Sequence, residues 1–275
     1  PVPPAISPRV KLLYMESVQK PEMLLRHASS LIKKGCRIAA VKAGASEAGS
    51  RAASSHTGAL ASSDLAVSCL LRKAGIIRCQ GREELINVAS VLMHKELQGK
   101  NIGIVTHAGG PAVMLTDALS REGFSVPRIE NPNATELLQR LYPGSSVSNP
   151  VDFLATGTAE QLGTILDYTD EYFDEIDGIA VIFGTPGLSP IFDVYDVLHK
   201  KMLSARKPIY PILPSTYTAS EEVRDFLSKG RINFPDEVLF AHALGLSYFT
   251  PKPAEIQLID EAQAPAGLTQ KVGSN

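Results

Sequence analysis

Residues 47–64 read EAGSRAASSHTGALASSD, and within them one imidazole, His56, stands among Ala, Ser, Gly and Thr with no large apolar neighbour to bury it. Small residues before His56 let the backbone approach a ligand closely, and Gly58 permits a tight turn. The run ALASSDLAVSCLLRKAG (59–75) reads as a helix whose last turn carries Arg72 and Lys73 ahead of Gly75. The start of such a helix offers unpaired N–H groups and the positive end of its dipole, a combination that attracts anions and phosphate above all. An imidazole at that spot is placed to meet or carry a phosphoryl group, because a neutral ring nitrogen is a good nucleophile and the phosphoramidate it forms is reactive. The same spacing also allows a plainer part, in which His56 caps a helix or packs under a loop.

A second helix start has similar features. THAGGPAV (106–113) follows a strand-like run, pairs Gly109 with Gly110 and places Pro111 at the first helical positions. Any strand–turn–helix crossing uses glycines for geometry, so the pair serves either a turn or a ligand. His107 in that loop reads as a polar loop residue rather than a catalyst.

These loops hang on an alternation of short strand-like and helix-like runs. VKLLYM (10–15), RIAAVKAG (37–44) and IIRC (76–79) alternate with PEMLLRHASSLIKKG (21–35), the 59–75 run and REELINVASVLMHKEL (82–97). After a break at Leu97–Asn101 a second cycle begins with IGIVTHAGG (102–110) and PAVMLTDALSREG (111–123). It continues through helical runs at 133–142, 158–173, 191–203, 219–230 and 237–246, with strands at 176–184 and 208–213. The order predicts an α/β protein of two flavodoxin-like parallel-sheet domains, the first truncated at its N-terminus because it has too few strands. The expected division is 1–95, 96–251 and a linker or tail at 252–275. The polar or proline-rich ends, PVPPAISP and EAQAPAGLTQKVGSN, read as linker, as in a piece of a longer polypeptide.

With 275 residues, 27 Lys and Arg against 29 Asp and Glu, and a formal charge of −2, the chain has no electrostatic footprint for nucleic acid or an anionic membrane. No apolar run approaches the roughly 20 residues that span a bilayer. Cys36, Cys69 and Cys79 form no CxxC pair and sit in apolar-patterned segments, which predicts buried, reduced thiols in a cytoplasmic protein. No Cys/His spacing suits a metal.

KAGASEAGSRAASSHTGALA (42–61) closely resembles the phosphohistidine loop of NDP-forming acyl-CoA synthetases, the ADP-forming acetate–CoA ligase relatives of succinyl-CoA synthetase. The resemblance extends to LLYMES (12–17), GIVTHAGGPAVMLTDAL (103–119) and NPVDFLATGTAEQL (149–162), and so to nearly all of residues 10–250. It implies that His56 is phosphorylated, and that two helix starts converge on it. Thr57, Gly58 and Ala59 would line the phosphate from one side, Gly109 and Gly110 from the other. It also places a glutamate beside the histidine at Glu16, where a carboxylate on one ring nitrogen fixes the tautomer and frees the other to attack. The family pattern has a glycine after that glutamate; this chain has Ser17. By the same resemblance, CoA and ADP or ATP with Mg bind to a Rossmann domain and an ATP-grasp domain or subunit outside this chain, and a small carboxylic acid or its acyl-CoA is the substrate. This portion alone would not turn over. The alternative is a non-catalytic, ligand-sensing module of a protein lysine acetyltransferase; such copies often lack the histidine that this chain keeps.

Overall fold

A computed structural model describes residues 9–57, 63–187 and 190–253. Its first part alternates β1 (Val10–Met15), α1 (Pro21–Lys33), β2 (Arg37–Lys42), α2 (Glu47–Thr57), α3 (Asp64–Ala74), β3 (Ile77–Cys79) and α4 (Arg82–Leu92). The three strands are parallel in the order β1-β2-β3. β2 is central, and all but its first residue are buried, as a strand covered on both faces requires. α1 opens on Pro21, whose missing N–H costs nothing there, and α3 stops at Gly75 in the left-handed conformation.

The second part runs β4 (Ile102–Thr106), α5 (Gly109–Arg121), α6 (Asn133–Gln139), β5 (Ser146–Val147), β6 (Val151–Asp152), α7 (Ala159–Glu171), β7 (Gly178–Ile182), α8 (Phe192–Ser204), β8 (Ile209–Ile212), α9 (Ser220–Ser228) and α10 (Glu237–Phe249). The sheet order is β5-β6-β4-β7-β8, parallel except for the short β5, which pairs antiparallel with β6. Leaving β5 aside, the parallel strands stand in the order second, first, third, fourth. A parallel bridge from Ile212 to Phe234 adds the stub of a fifth. That is the flavodoxin-like winding expected from the sequence, and its topological switch point lies between β4 and β7. The β5–β6 hairpin was not foreseen. Its Asn149, at φ 64, turns its amide back onto the sheet. Nδ2 donates to the carbonyls of Ile102 and Pro127, and Oδ1 accepts from the Ile104 amide, so β4 is hydrogen-bonded where β6 has not yet begun.

The two sheets share apolar packing. Ala39, Val41, Ile77 and Val88 from the first part lie in one buried cluster with Ile102, Ile104, Leu115, Phe240 and Leu244 from the second. α10, capped at its start by Asp236, brings Phe240 and Leu244 into that cluster between α4 and α5. Phe240→Ala should therefore cost about 3–5 kcal/mol, the usual range for emptying a buried phenylalanine site. Chemical denaturation followed by both far- and near-UV signals measures it, and a loss well under 1 kcal/mol would mean that the joint core is not continuous.

His242 on α10 bridges the same elements. Its Nε2 lies 2.7 Å from Glu84 Oε1 on α4, and its Nδ1 lies 2.9 Å from Glu122 Oε1 at the end of α5. Only the imidazolium donates to both carboxylates at once. The Glu122 bond, and then the Glu84 bond, hold its pKa above the ordinary histidine value against the opposing effect of burial. A raised native pKa stabilises the fold fully below the unfolded value, and that contribution is lost as pH rises through the native one. The stability difference between the protein and a His242→Gln variant should thus be larger near pH 6 than near pH 9. The effect is modest because the side chain is part exposed. Equal differences at both pH values would show that the ring is not charged in the native state.

Among the cysteines, only Cys79 is buried as the sequence suggested; Cys36 is partly exposed and Cys69 lies on the solvent side of α3. All three are free thiols.

Candidate functional site

At the carboxyl end of the first sheet, Glu16 follows β1 directly and is half-buried, with the Tyr14 hydroxyl 3.4 Å from its Oε1. Beside it β2 ends on Lys42, whose buried ammonium donates to the Gly44 carbonyl at 2.6 Å and stands 4.0 Å from Asp64. Gly44 adopts φ +72 so that the chain can reverse. A Cβ there would lie 3.3 Å from the Gly49 carbonyl oxygen and 3.4 Å from Ala53 Cβ, which is why α2 packs back on its own lead-in.

The stretch that read as a loop is helical. α2 spans Glu47–Thr57 because Ala and Arg favour helix, Ser46 Oγ caps the Gly49 amide at 3.1 Å, and Glu47 pairs with Arg51 one turn on at 2.6 Å. The Ser46 cap and the Glu47–Arg51 spacing were the signals to find it. His56 and Thr57 form the last turn of α2, while Gly58 and Ala59 lie outside the described residues, as do the His56 and Thr57 side chains. The next helix begins at Asp64 rather than near Ala59. Its first turn carries its own carboxylate: Asp64 accepts from Arg78 at 2.6 Å, and that bond holds its pKa below the usual carboxylate range, with Lys42 assisting. The segment expected to cradle a phosphoryl group thus runs between the end of α2 and the start of α3.

At the carboxyl end of the second sheet, β4 stops at Thr106 and α5 starts at Gly109. Ala108 holds the N-cap position and supplies no side-chain cap; its own amide donates to Thr106 Oγ1 at 2.9 Å. Pro111 has no N–H, so the helix head presents the amides of Gly109 and Gly110, which have no hydrogen-bond partner among the described residues. Space above them is open: nothing lies within 4 Å of a Cβ built on Gly110, and only Asp152 Oδ2, at 3.6 Å, approaches one on Gly109. Asp152 closes β6 and uses its other oxygen to accept the Leu154 amide at 2.9 Å.

His107, read from the sequence as a polar loop residue, is only 8% exposed. Its ring stacks on Phe183 with centroids 4.3 Å apart, and its Nδ1 is buried without a partner among the described residues. Burial holds its pKa below the ordinary histidine value, opposed by the Ile182 carbonyl and the Asp152 charge. Gly184 lies just beyond β7. A Cβ on it would stand 2.7 Å from Ser215 Oγ and 3.7 Å from His107 Cε1, so these side chains fill that side and glycine is what fits. Ser215, in the loop after β8, is itself held by the Thr185 amide at 2.9 Å. His107, Gly109, Gly110, Asp152, Gly184 and Ser215 therefore surround the switch point of the sheet, where ligands of open α/β folds bind. Sequence reasoning found the two glycines and missed Asp152, Gly184 and Ser215. The glycine directly after an apolar strand in IAVIFGTPG was the available hint.

Among the described residues there is no cluster of His, Cys, Asp or Glu that would hold a metal ion, and no helix is long and apolar enough to cross a membrane.

Residues 7–92 match the succinyl-CoA ligase like flavodoxin domain. Over 246 residues the chain is 32% identical to subunit alpha of acetate–CoA ligase [ADP-forming] I of Pyrococcus furiosus, which covers 87% of this chain and 52% of that protein. Over 223 residues it is 29% identical to subunit alpha of the type II enzyme of the same organism, covering 80% of this chain and 48% of that one. Its fold is that of a solved structure, the dinucleotide forming acetyl-coenzyme A synthetase 1 of Ca. Korarchaeum cryptofilum. The match has a TM-score of 0.75 at 22% identity, over 87% of this chain and 52% of that one. The chain spans about half the length of these two alpha subunits. Residues 7–92 are thus a succinyl-CoA ligase-like flavodoxin domain, and most of the chain is similar to the alpha subunits of ADP-forming acetate–CoA ligases.

Proposed function

We propose that this chain is the phosphoryl-carrying portion of an NDP-forming acyl-CoA synthetase, interconverting acyl-CoA, ADP and phosphate with a carboxylic acid, CoA and ATP. The observation that carries the reading is that the matched domain, residues 7–92, takes in both Glu16 and the small-residue helix with His56 in its last turn. Phosphate attacks the thioester carbonyl, the C–S bond breaks, and CoA leaves as an acyl phosphate forms. The His56 ring then attacks phosphorus and the carboxylic acid departs. ADP finally takes the phosphoryl group and restores the ring. Glu16 holds the proton of the non-attacking nitrogen. The amides of Thr57, Gly58 and Ala59 on one side and of Gly109 and Gly110 on the other hold the phosphoryl oxygens. Residues 1–95 form the remainder of the histidine-bearing domain, 96–251 the second flavodoxin-like domain and 252–275 a linker. A CoA-binding Rossmann domain and an ATP-grasp domain or subunit hold CoA and the Mg-bound nucleotide. The reading is tested by ATP formation from ADP, phosphate and a panel of small acyl-CoA thioesters, using the enzyme that contains this chain. If no thioester supports ATP formation while all partners are present and folded, the reading fails.

A further inference from the structure

At the amino ends of the strands, away from the loops just described, a cavity of about 1010 Å³ is lined by both halves of the chain. That volume is at the upper end of the usual range for small-molecule sites. Its walls are apolar: Ile38 and Ile77 come from the first sheet, Leu97 from the segment joining the sheets, and Leu244 from α10. Its charges are mostly positive. Arg9, Lys33 and Lys252 are exposed beside the partly buried Arg37, and none of the four forms an ion pair among the described residues. Glu96 is the one carboxylate among the described lining residues.

Two of the polar groups are set in place by their own surroundings. Arg37 opens β2, and its Nη1 donates to the Leu92 carbonyl at 3.0 Å and to that of His94 at 3.3 Å. Those bonds fix the guanidinium plane. They leave Nε and Nη2, an edge that grips both oxygens of a carboxylate, without a partner among the described residues. Tyr210 on β8 is 1% exposed, with its ring packed on His94 and Phe240, yet its hydroxyl has no partner among the described residues. The little surface that Tyr210 keeps includes that hydroxyl, and the residue lines the cavity. Burial pushes its pKa well above the ordinary tyrosine value, while the nearby Arg37 charge pulls the other way. The hydroxyl thus stays protonated and is a donor toward an anion. A donor this deeply buried calls for an acceptor.

We propose that this cavity binds a carboxylate with a hydrocarbon body, its oxygens on the free edge of Arg37 and the Tyr210 hydroxyl, its body against Ile38, Ile77, Leu97 and Leu244. The surrounding cations raise the local concentration of anions. A carboxylate held in this way connects the first residue of β2 to the second residue of β8, and so ties the two sheets together. The site lies at the end of the strands opposite Glu16 and the head of α5, and it is independent of the phosphoryl chemistry proposed there.

The protein is titrated at neutral pH with octanoate, octan-1-ol and acetate by isothermal calorimetry. Octanoate should bind at least about tenfold more tightly than octan-1-ol, the worth of a hydrogen bond to a charged group. It should exceed acetate by at least about a hundredfold, since each further buried methylene is worth about fourfold. Tyr210→Phe keeps the ring and its packing, and Arg37→Lys keeps the charge without the fork. Each should weaken octanoate about tenfold, with folding checked by circular dichroism. Methyl NMR shifts at Ile38, Ile77, Leu97 and Leu244 should locate the bound octanoate in the parent, so the test holds even if a variant fails to fold. The proposal is overturned if octanoate does not bind, if octan-1-ol or acetate binds as tightly, or if the shifts fall elsewhere. Unchanged octanoate affinity in both folded variants overturns it as well.

Discussion

His56→Ala should abolish phosphoryl labelling of the enzyme, whether the label enters from ATP or from phosphate with acyl-CoA, and should lower turnover on the order of 10³-fold or more, as loss of a covalent nucleophile does. The parent label should be stable in base and lost in acid, as a phosphoramidate is. The other histidines make poor carriers for reasons visible in the fold. His94 is packed against Tyr210 and Phe234, bonds the Ser90 carbonyl through Nδ1, and is pushed by burial down to about 4. His199 accepts the Arg231 Nε–H at 2.9 Å, and His242 is held between two carboxylates. His107 is buried against Phe183, and His27 is exposed on α1, away from any strand end. A His56→Ala enzyme that labels as strongly as the parent would assign the carrier to another residue.

Glu16→Gln should slow formation of the phosphohistidine by about 10²–10⁴-fold, the contribution typical of acid–base and orienting groups. The substitution keeps the side chain's shape and removes its charge. The carboxylate stands half-buried at the end of β1, where the Tyr14 hydroxyl meets its Oε1 at a long 3.4 Å and leaves acceptor capacity for an imidazole N–H. Rapid-quench measurement of protein-bound phosphate gives the rate, and denaturation of the variant checks that the fold is intact. An unchanged rate would reduce Glu16 to a strand-end surface carboxylate.

Much of the fold was legible because its signals are local. Apolar runs such as IGIVT and GIAVI sit between helices at the spacing of βαβ units, and a strand covered on both faces has to be apolar throughout. Thr158 and Gln161 announce the start of α7, and the structure finds both halves of that capping box. The helix at 47–57 escaped notice because its residues are small and it has no wide apolar stripe; its stability comes from propensity, the Ser46 cap and an ion pair rather than from burial. The hairpin at β5–β6 escaped because two-residue strands carry no period.

The site divides along the same line. Small residues about His56 and the Gly109–Gly110 pair before a helix are contiguous in the chain, so the sequence by itself marked them as places where a backbone can meet an anion. Which acceptors face that helix head is a matter of strand order. Asp152 and Gly184 stand on either side of β4 only because β6 and β7 pair with it, and Ser215 arrives from the loop after β8. His107 was visible as a residue, but its burial is set by Phe183, a side chain 76 positions away (183 less 107) that the β4–β7 register brings beneath its ring. Local patterning is written into the chain because a helix start or a buried strand makes its demands within a few residues. The environment that buries a loop histidine comes from distant segments, and only their packing decides it.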